Sequence, residues 1–169
     1  MKLVLLGYMG CGKSAISKVL SSALKLKRID LDDYIEEVEK KSIADLFAEK
    51  GEIYFRKLET ECLMHLFGKE DNFILSLGGG TPCFGKNMEL INQNATSVYL
   101  SANIPTLVAR LLPEKSKRPL IARITDGDLS AFIGKHLFER YPFYSQAEQT
   151  VSVDHKSVED IANEIVSYL

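Results

Sequence analysis

An apolar run, Leu3-Val4-Leu5-Leu6, ends abruptly at Gly7, and the stretch that follows, "GYMGCGKS" at 7–14, packs Gly7, Gly10 and Gly12 beside Lys13 and Ser14. Beyond it Ile16, Val19, Leu20, Ala23 and Leu24 recur at helical spacing. A buried strand, a bare-backbone turn and a helix therefore follow one another without a linker. Gly7, Gly12, Lys13 and Ser14 satisfy G-x-x-x-x-G-K-[ST], the P-loop pattern, in the strand–turn–helix context that gives it meaning. The glycines let successive N–H groups curl around a phosphate, and the helix N-terminus adds a positive dipole. Lys13 adds a full charge for the outer phosphates, and Ser14 an oxygen for Mg²⁺. The alternative, a glycine-rich turn with an unrelated lysine, fits this context poorly. Cys11 reads as a small loop residue, with redox control as the other reading.

The alternation continues along the chain. Strands are predicted at 2–6, 27–29, 73–77, 96–100 and 150–153. Helices are predicted at 13–26, 31–40, 42–50, 53–67, 85–93, 104–112, 127–147 and 157–168, with Ser42–Asp45 as a capping pair and Ser157 as an N-cap. "PEKSKRP" at 113–119 is polar, basic and bounded by prolines, and reads as a loop. Such alternation predicts an α/β fold, a parallel sheet covered on both faces, with ligands at the carboxyl ends of its strands. The 169 residues suit one domain with one core. A net charge of −2 without long runs of like charge makes no case for nucleic acid or a membrane surface as partner. Cys11, Cys62 and Cys83, odd in number and widely spaced, suggest reduced thiols and a cytoplasmic setting. Neither a signal pattern nor an apolar run of membrane-spanning length is found.

A nucleotide site needs acids for its metal. The run at 73–77 ends in Gly78-Gly79-Gly80 and offers none; the acids lie in "RIDLDDYIEE". Asp30 and Asp32, two apart, point the same way in an extended segment, so one can approach Mg²⁺ and the other an acceptor. Helix capping is the competing role for Asp32, and Asp33 is expected to cap. The triple glycine reads as backbone laid against a ligand, or as a flexible loop. Arg56, with Glu59 three residues on, and Arg140, before Pro142, could clamp a carboxylate on a second substrate; surface ion pairs are the plainer reading of each.

Taken together, "GYMGCGKS", "IDLDDYIEE", "FRKLE", "LSLGGGTP", "KRPLI" and "ERYPFY" resemble the shikimate kinases, in order and approximate spacing and nearly end to end. The resemblance implies a three-layer αβα fold of the nucleoside-monophosphate-kinase type: a five-stranded parallel sheet, a substrate-binding segment over about 31–62 and a mobile lid over about 112–124. It implies phosphoryl transfer from Mg-ATP to the 3-hydroxyl of shikimate, en route to chorismate and the aromatic amino acids, by a monomer. Position by position it implies Asp32 at the substrate hydroxyl and Arg56, Gly78, Gly79, Gly80 and Arg140 lining the shikimate site. Ser14 and Asp30 fall to a single Mg²⁺, Asp30 through water. Gly10, Cys11, Gly12, Lys13, Ser14 and Ala15 hold the nucleotide, with Arg110 against the adenine and Arg118 brought to the phosphates by the lid. Lys13, Asp32 and Arg118 carry the catalytic roles, and the loop at His155 and Lys156 adjoins the adenine. Tyr8, Cys11 and Leu31 depart from the family pattern without removing a charged site residue. The rivals are another small-molecule kinase on the same fold, such as a gluconate or nucleoside-monophosphate kinase, and a nucleotide switch. The switch lacks its Asn-Lys-x-Asp guanine signature here.

Overall fold

The computed structural model describes residues 1–169. Five parallel strands form one sheet in the order β2-β3-β1-β4-β5, with β1 at Lys2–Leu6, β2 at Lys27–Asp30, β3 at Phe73–Ser76, β4 at Thr96–Ser101 and β5 at Gln149–Ser152. Central strands must bury both faces, which explains the apolar runs Leu3–Leu6 of β1 and Phe73–Leu75 of β3. The edge strands β2 and β5 each bury a single residue, Ile29 and Val151. Helices α1 (Lys13–Leu24), α2 (Leu31–Glu39), α3 (Ile43–Lys50), α4 (Glu52–Lys69), α5 (Asn87–Asn94), α6 (Ile104–Leu111), α7 (Leu129–Tyr144) and α8 (Val158–Val166) complete the chain. One apolar cluster of 39 buried residues joins sheet to helices. No helix is long and apolar enough to cross a membrane.

All five predicted strands and eight predicted helices are present, with shifted ends. The Ser42 and Ser157 hydroxyls accept from the Asp45 and Asp160 amides and cap α3 and α8. Two expectations fail. "PEKSKRP" is not an open loop: Leu112–Lys117 winds into a 3-10 helix. Pro113 suits a first helical turn, where its missing N–H costs nothing. Nor does Asp33 cap α2. Asp30 does, its carboxylate accepting from the Asp32 amide at 3.0 Å, because the chain leaves the extended conformation at Asp30.

The parallel register aligns Leu5 of β1 with Ser76 of β3, and Asp30 of β2 with the same Ser76. The loops that leave β1, β2 and β3 thus meet at one end of the sheet. At Gly7, φ is 146°, and a Cβ there would lie 2.7 Å from the Leu100 carbonyl oxygen of β4. The loop can turn there only without a side chain.

Gly7→Ala is therefore expected to destabilise the protein by about 1–3 kcal/mol or more, seen as a lower urea midpoint. An unchanged midpoint would show that the loop can re-route.

Candidate active site

The phosphate loop is prepared for an anion. Side chains cap α2, α3, α6 and α8, whereas α1, like α4, α5 and α7, has no side-chain cap; its N-cap is Gly12 (φ 102°), and its first turn holds no acid. Its N-terminal amides and positive dipole end have no competing protein anion. Lys13 Nζ meanwhile donates to the carbonyls of Gly7 at 2.7 Å and Tyr8 at 3.2 Å. A cavity of about 710 Å³ opens in front, lined among others by Gly10, Gly12, Lys13, Ser14, Ala15, Asp30, Asp32, Gly78, Gly79, Arg110 and Arg118. Arg110 Nη1 donates to the Gly10 and Cys11 carbonyls at 3.2 and 3.1 Å and so braces the loop from outside. Cys11 is 1% exposed, and its Sγ lies 3.7 Å from Lys13 Nζ. It fills space in the loop, and burial denies an oxidant direct access.

Across Gly79 and Gly80 lies a second cavity of about 360 Å³, where Arg56, Gly80, Cys83 and Arg140 converge. Neither arginine is merely a surface partner. Arg56 Nη1 donates at 2.8 Å to Glu59, itself 1% exposed, and the other Glu59 oxygen accepts from the Thr81 hydroxyl. Asn87 donates to the Thr81 carbonyl at 2.8 Å and accepts from Thr60 at 2.8 Å. This buried network ties α4 to the turn after β3 and holds Arg56 in place. Arg56–Glu59 was visible as an i, i+3 pair; Thr81 and Asn87 carried no signal, because only folding brings them to α4.

The triple glycine has a steric cause. A Cβ on Gly78 would lie 3.2 Å from Asp32 Oδ1, one on Gly79 2.8 Å from Arg140 Nη1, and one on Gly80 2.5 Å from Arg56 Nη2. Each glycine leaves room for one charged side chain. None of the three has a left-handed φ, so flexibility does not explain them.

The acids feel one another. Burial, then the charges of Asp30 and Glu59, push the Asp32 carboxyl up to about 6, with Lys13 opposing. Burial and Asp33 raise Asp30 as well, against the Asp32 and Asp33 amides and Lys13. Beyond α6, Arg118 pairs with Glu114 at 3.0 Å, while its Nε is buried without an acceptor. Lys115 pairs with Asp126 and donates to the Ile124 carbonyl at 2.8 Å, and Ile121 is fully buried. Lys115 and Arg118 are thus each paired with a local acid, whereas Lys117 is not. The loop at His155 and Lys156 lies apart from both cavities, with Lys156 paired to Glu164 at 2.6 Å.

With this geometry in view, comparison with known proteins is decisive. The family model for shikimate kinase matches residues 9–169. The chain belongs to the shikimate kinase family. Among its relatives in that family is the shikimate kinase of Flavobacterium johnsoniae, 46% identical over 169 residues, covering 99% of this chain and 98% of the relative. The crystal structure of shikimate kinase from Bacteroides thetaiotaomicron superposes with a TM-score of 0.92 at 35% identity, covering 99% and 97% of the two chains. Shikimate kinase from Acinetobacter baumannii, solved in complex with shikimate, superposes with a TM-score of 0.87 at 27% identity, covering 99% and 91%. The nucleoside-monophosphate-kinase-like fold of the shikimate kinases is the fold of this chain.

The raised Asp32 carboxyl has a consequence for stability. Above pH 6 the folded, ligand-free protein holds a buried anion that the unfolded chain solvates freely; below pH 4 both states are protonated. In EDTA, Asp32→Asn should therefore stabilise the protein by about 1–3 kcal/mol at pH 8, allowing for partial exposure. The gain should fade as pH falls from 6 to 4. Urea titrations across that range test it, and a gain independent of pH would refute it.

Proposed function

We propose that this chain transfers the γ-phosphoryl group of ATP to the 3-hydroxyl of shikimate, with Asp32 at the attacking hydroxyl and Arg56 and Arg140 at the carboxylate. One observation carries the assignment of roles: Gly78, Gly79 and Gly80 make room in turn for Asp32, Arg140 and Arg56. An acid is thereby set between the phosphate-loop cation and two arginines. A γ-phosphate at the head of α1 and an acceptor held by the arginines would meet at Asp32.

The donor set fits Mg²⁺. Ser14, Asp30 and Asp32 put hard oxygen atoms on one cavity, and no cluster of three or more His, Cys, Asp or Glu forms an all-protein cage. Such a partial set suits an ion completed by phosphate oxygens and water, which Ser14 would hold directly and Asp30 through water. When bound, Mg²⁺ neutralises charge on the β- and γ-phosphates. Lys13 exchanges the Gly7 and Tyr8 carbonyls for phosphate oxygens. Asp32, ionised above pH 6, orients the hydroxyl and takes its proton as the bond to phosphorus forms. The segment 112–124 acts as a lid pivoting near buried Ile121, carrying Arg118 to the phosphates and excluding water that would compete as acceptor. Arg110, on the wall of the phosphate-loop cavity, packs along the adenine. The enzyme works as a monomer, and its three unpaired cysteines suit the reducing cytoplasm.

Shikimate-dependent ADP release, measured beside gluconate and nucleoside monophosphates, tests the acceptor. Arg140 meets a carboxylate whose charge is constant through the reaction, so Arg140→Ala should raise KM for shikimate by roughly 10- to 150-fold, with ATP binding little changed. Asp32→Asn should lower kcat by on the order of 100-fold or more, again sparing ATP binding. Near-normal turnover by folded Asp32→Asn would reduce Asp32 to a structural acid.

Metal removal gives an independent check. EDTA should abolish turnover, and Asp30→Ala should raise the magnesium concentration needed for half-maximal rate. Full activity in EDTA would falsify the metal assignment.

A further inference from the structure

Tyr8 is the bulkiest residue of the phosphate loop and is 1% exposed. Its side chain turns away from the nucleotide cavity, toward α7. The hydroxyl shares a 3.0 Å hydrogen bond with His136 Nδ1, and the two rings meet edge to face, 5.4 Å between centroids. One turn further along α7, the Arg140 guanidinium carbon lies 5.6 Å from the Tyr8 ring centroid. That is within cation–π range.

The two acceptor-site arginines are held differently. Arg56 is ion-paired with Glu59 at 2.8 Å and approached by Glu52 at 3.7 Å. Arg140 makes no ion pair. Its only polar partner is the Tyr144 hydroxyl, a long 3.5 Å contact, and that hydroxyl already donates to the Gly79 carbonyl at 2.6 Å. Its charge thus remains available to an incoming anion, and aromatic groups do most of the holding.

We infer that Tyr8 is a positioning residue for the acceptor: its ring, fixed in the phosphate loop, holds the Arg140 guanidinium in the orientation that receives the acceptor's carboxylate. This rests on the reading that Arg140 takes that carboxylate. The surroundings suit the role. Burial pushes the Tyr8 hydroxyl up to about 12, so it stays neutral. Burial and the Arg140 charge push the His136 imidazole down, so it holds Tyr8 without adding a second cation. An aliphatic residue at position 8 would fill the space without offering Arg140 a negative ring face.

The test compares Tyr8→Phe, Tyr8→Leu and Arg140→Ala on shikimate and on shikimate methyl ester, which lacks the anion, with ATP-analogue binding titrated separately. Tyr8→Phe keeps the ring and should hold KM for shikimate within about twofold. Tyr8→Leu should raise it roughly 3- to 30-fold, leaving KM for the ester and analogue affinity unchanged. An unchanged shikimate KM in Tyr8→Leu, or an equal rise for the ester, would overturn the inference. If Arg140→Ala also leaves the shikimate KM unchanged, the fault lies with the carboxylate assignment itself. Should Tyr8→Leu not fold, phenylalanines of increasing ring fluorination at position 8 keep the shape and weaken the ring face. Shikimate KM should then climb with each fluorine, and a flat series would refute the role.

Discussion

The parallel pairing of β1 between β3 and β4 underlies everything else in this molecule. Parallel neighbours need crossover helices, and those crossovers return every strand in the same direction. The carboxyl ends of β1, β2 and β3 therefore meet at one edge of the sheet, where Gly7, Asp30 and Leu77–Gly80 leave it. No local feature of the three loops would bring them together. Once the register is set, the head of α1 points into the same space.

At that edge the structure holds like charges close together. Burial and the charges of Asp30 and Glu59 raise the Asp32 carboxyl, and Lys13 opposes them. Such an arrangement costs stability in the empty protein. The buried bonds from Arg56 through Glu59 and Thr81 to Asn87 keep part of it rigid before any ligand arrives. Donors and charges already in place need not reorganise during phosphoryl transfer, where positioning and electrostatics account for most of the catalysis.

Sterics connect the two halves of the site. The backbone at Gly78–Gly80 passes so close to Asp32, Arg140 and Arg56 that side chains would displace all three. Tyr8 makes the complementary contact, filling the space between phosphate loop and α7 with an aromatic face. The two cavities thus adjoin one backbone segment, Gly78–Gly80, and a change in that segment reaches both.

Much of this was legible in the sequence, because much of it is local. Apolar runs ending in glycine mark β1 and its loop, helical periodicity marks the layers, and Ser42 and Ser157 announce the helices they cap. The charged residues named from motif and family resemblance line the two cavities. The failures were also physical. Whether Asp30 or Asp33 caps α2 depends on where β2 lets go of the sheet. The winding of 112–117 is accompanied by the Lys115–Asp126 and Arg118–Glu114 pairs and by the burial of Ile121, none of which the polar composition of the segment announces. The bond from Thr81 to Glu59, the room left by the three glycines and the ring beneath Arg140 depend on contacts between residues 22 to 132 positions apart. Chemistry and secondary structure follow from neighbours along the chain; which charge is paired, which is left free and which glycine makes room for it are settled only when distant segments compete for the same space.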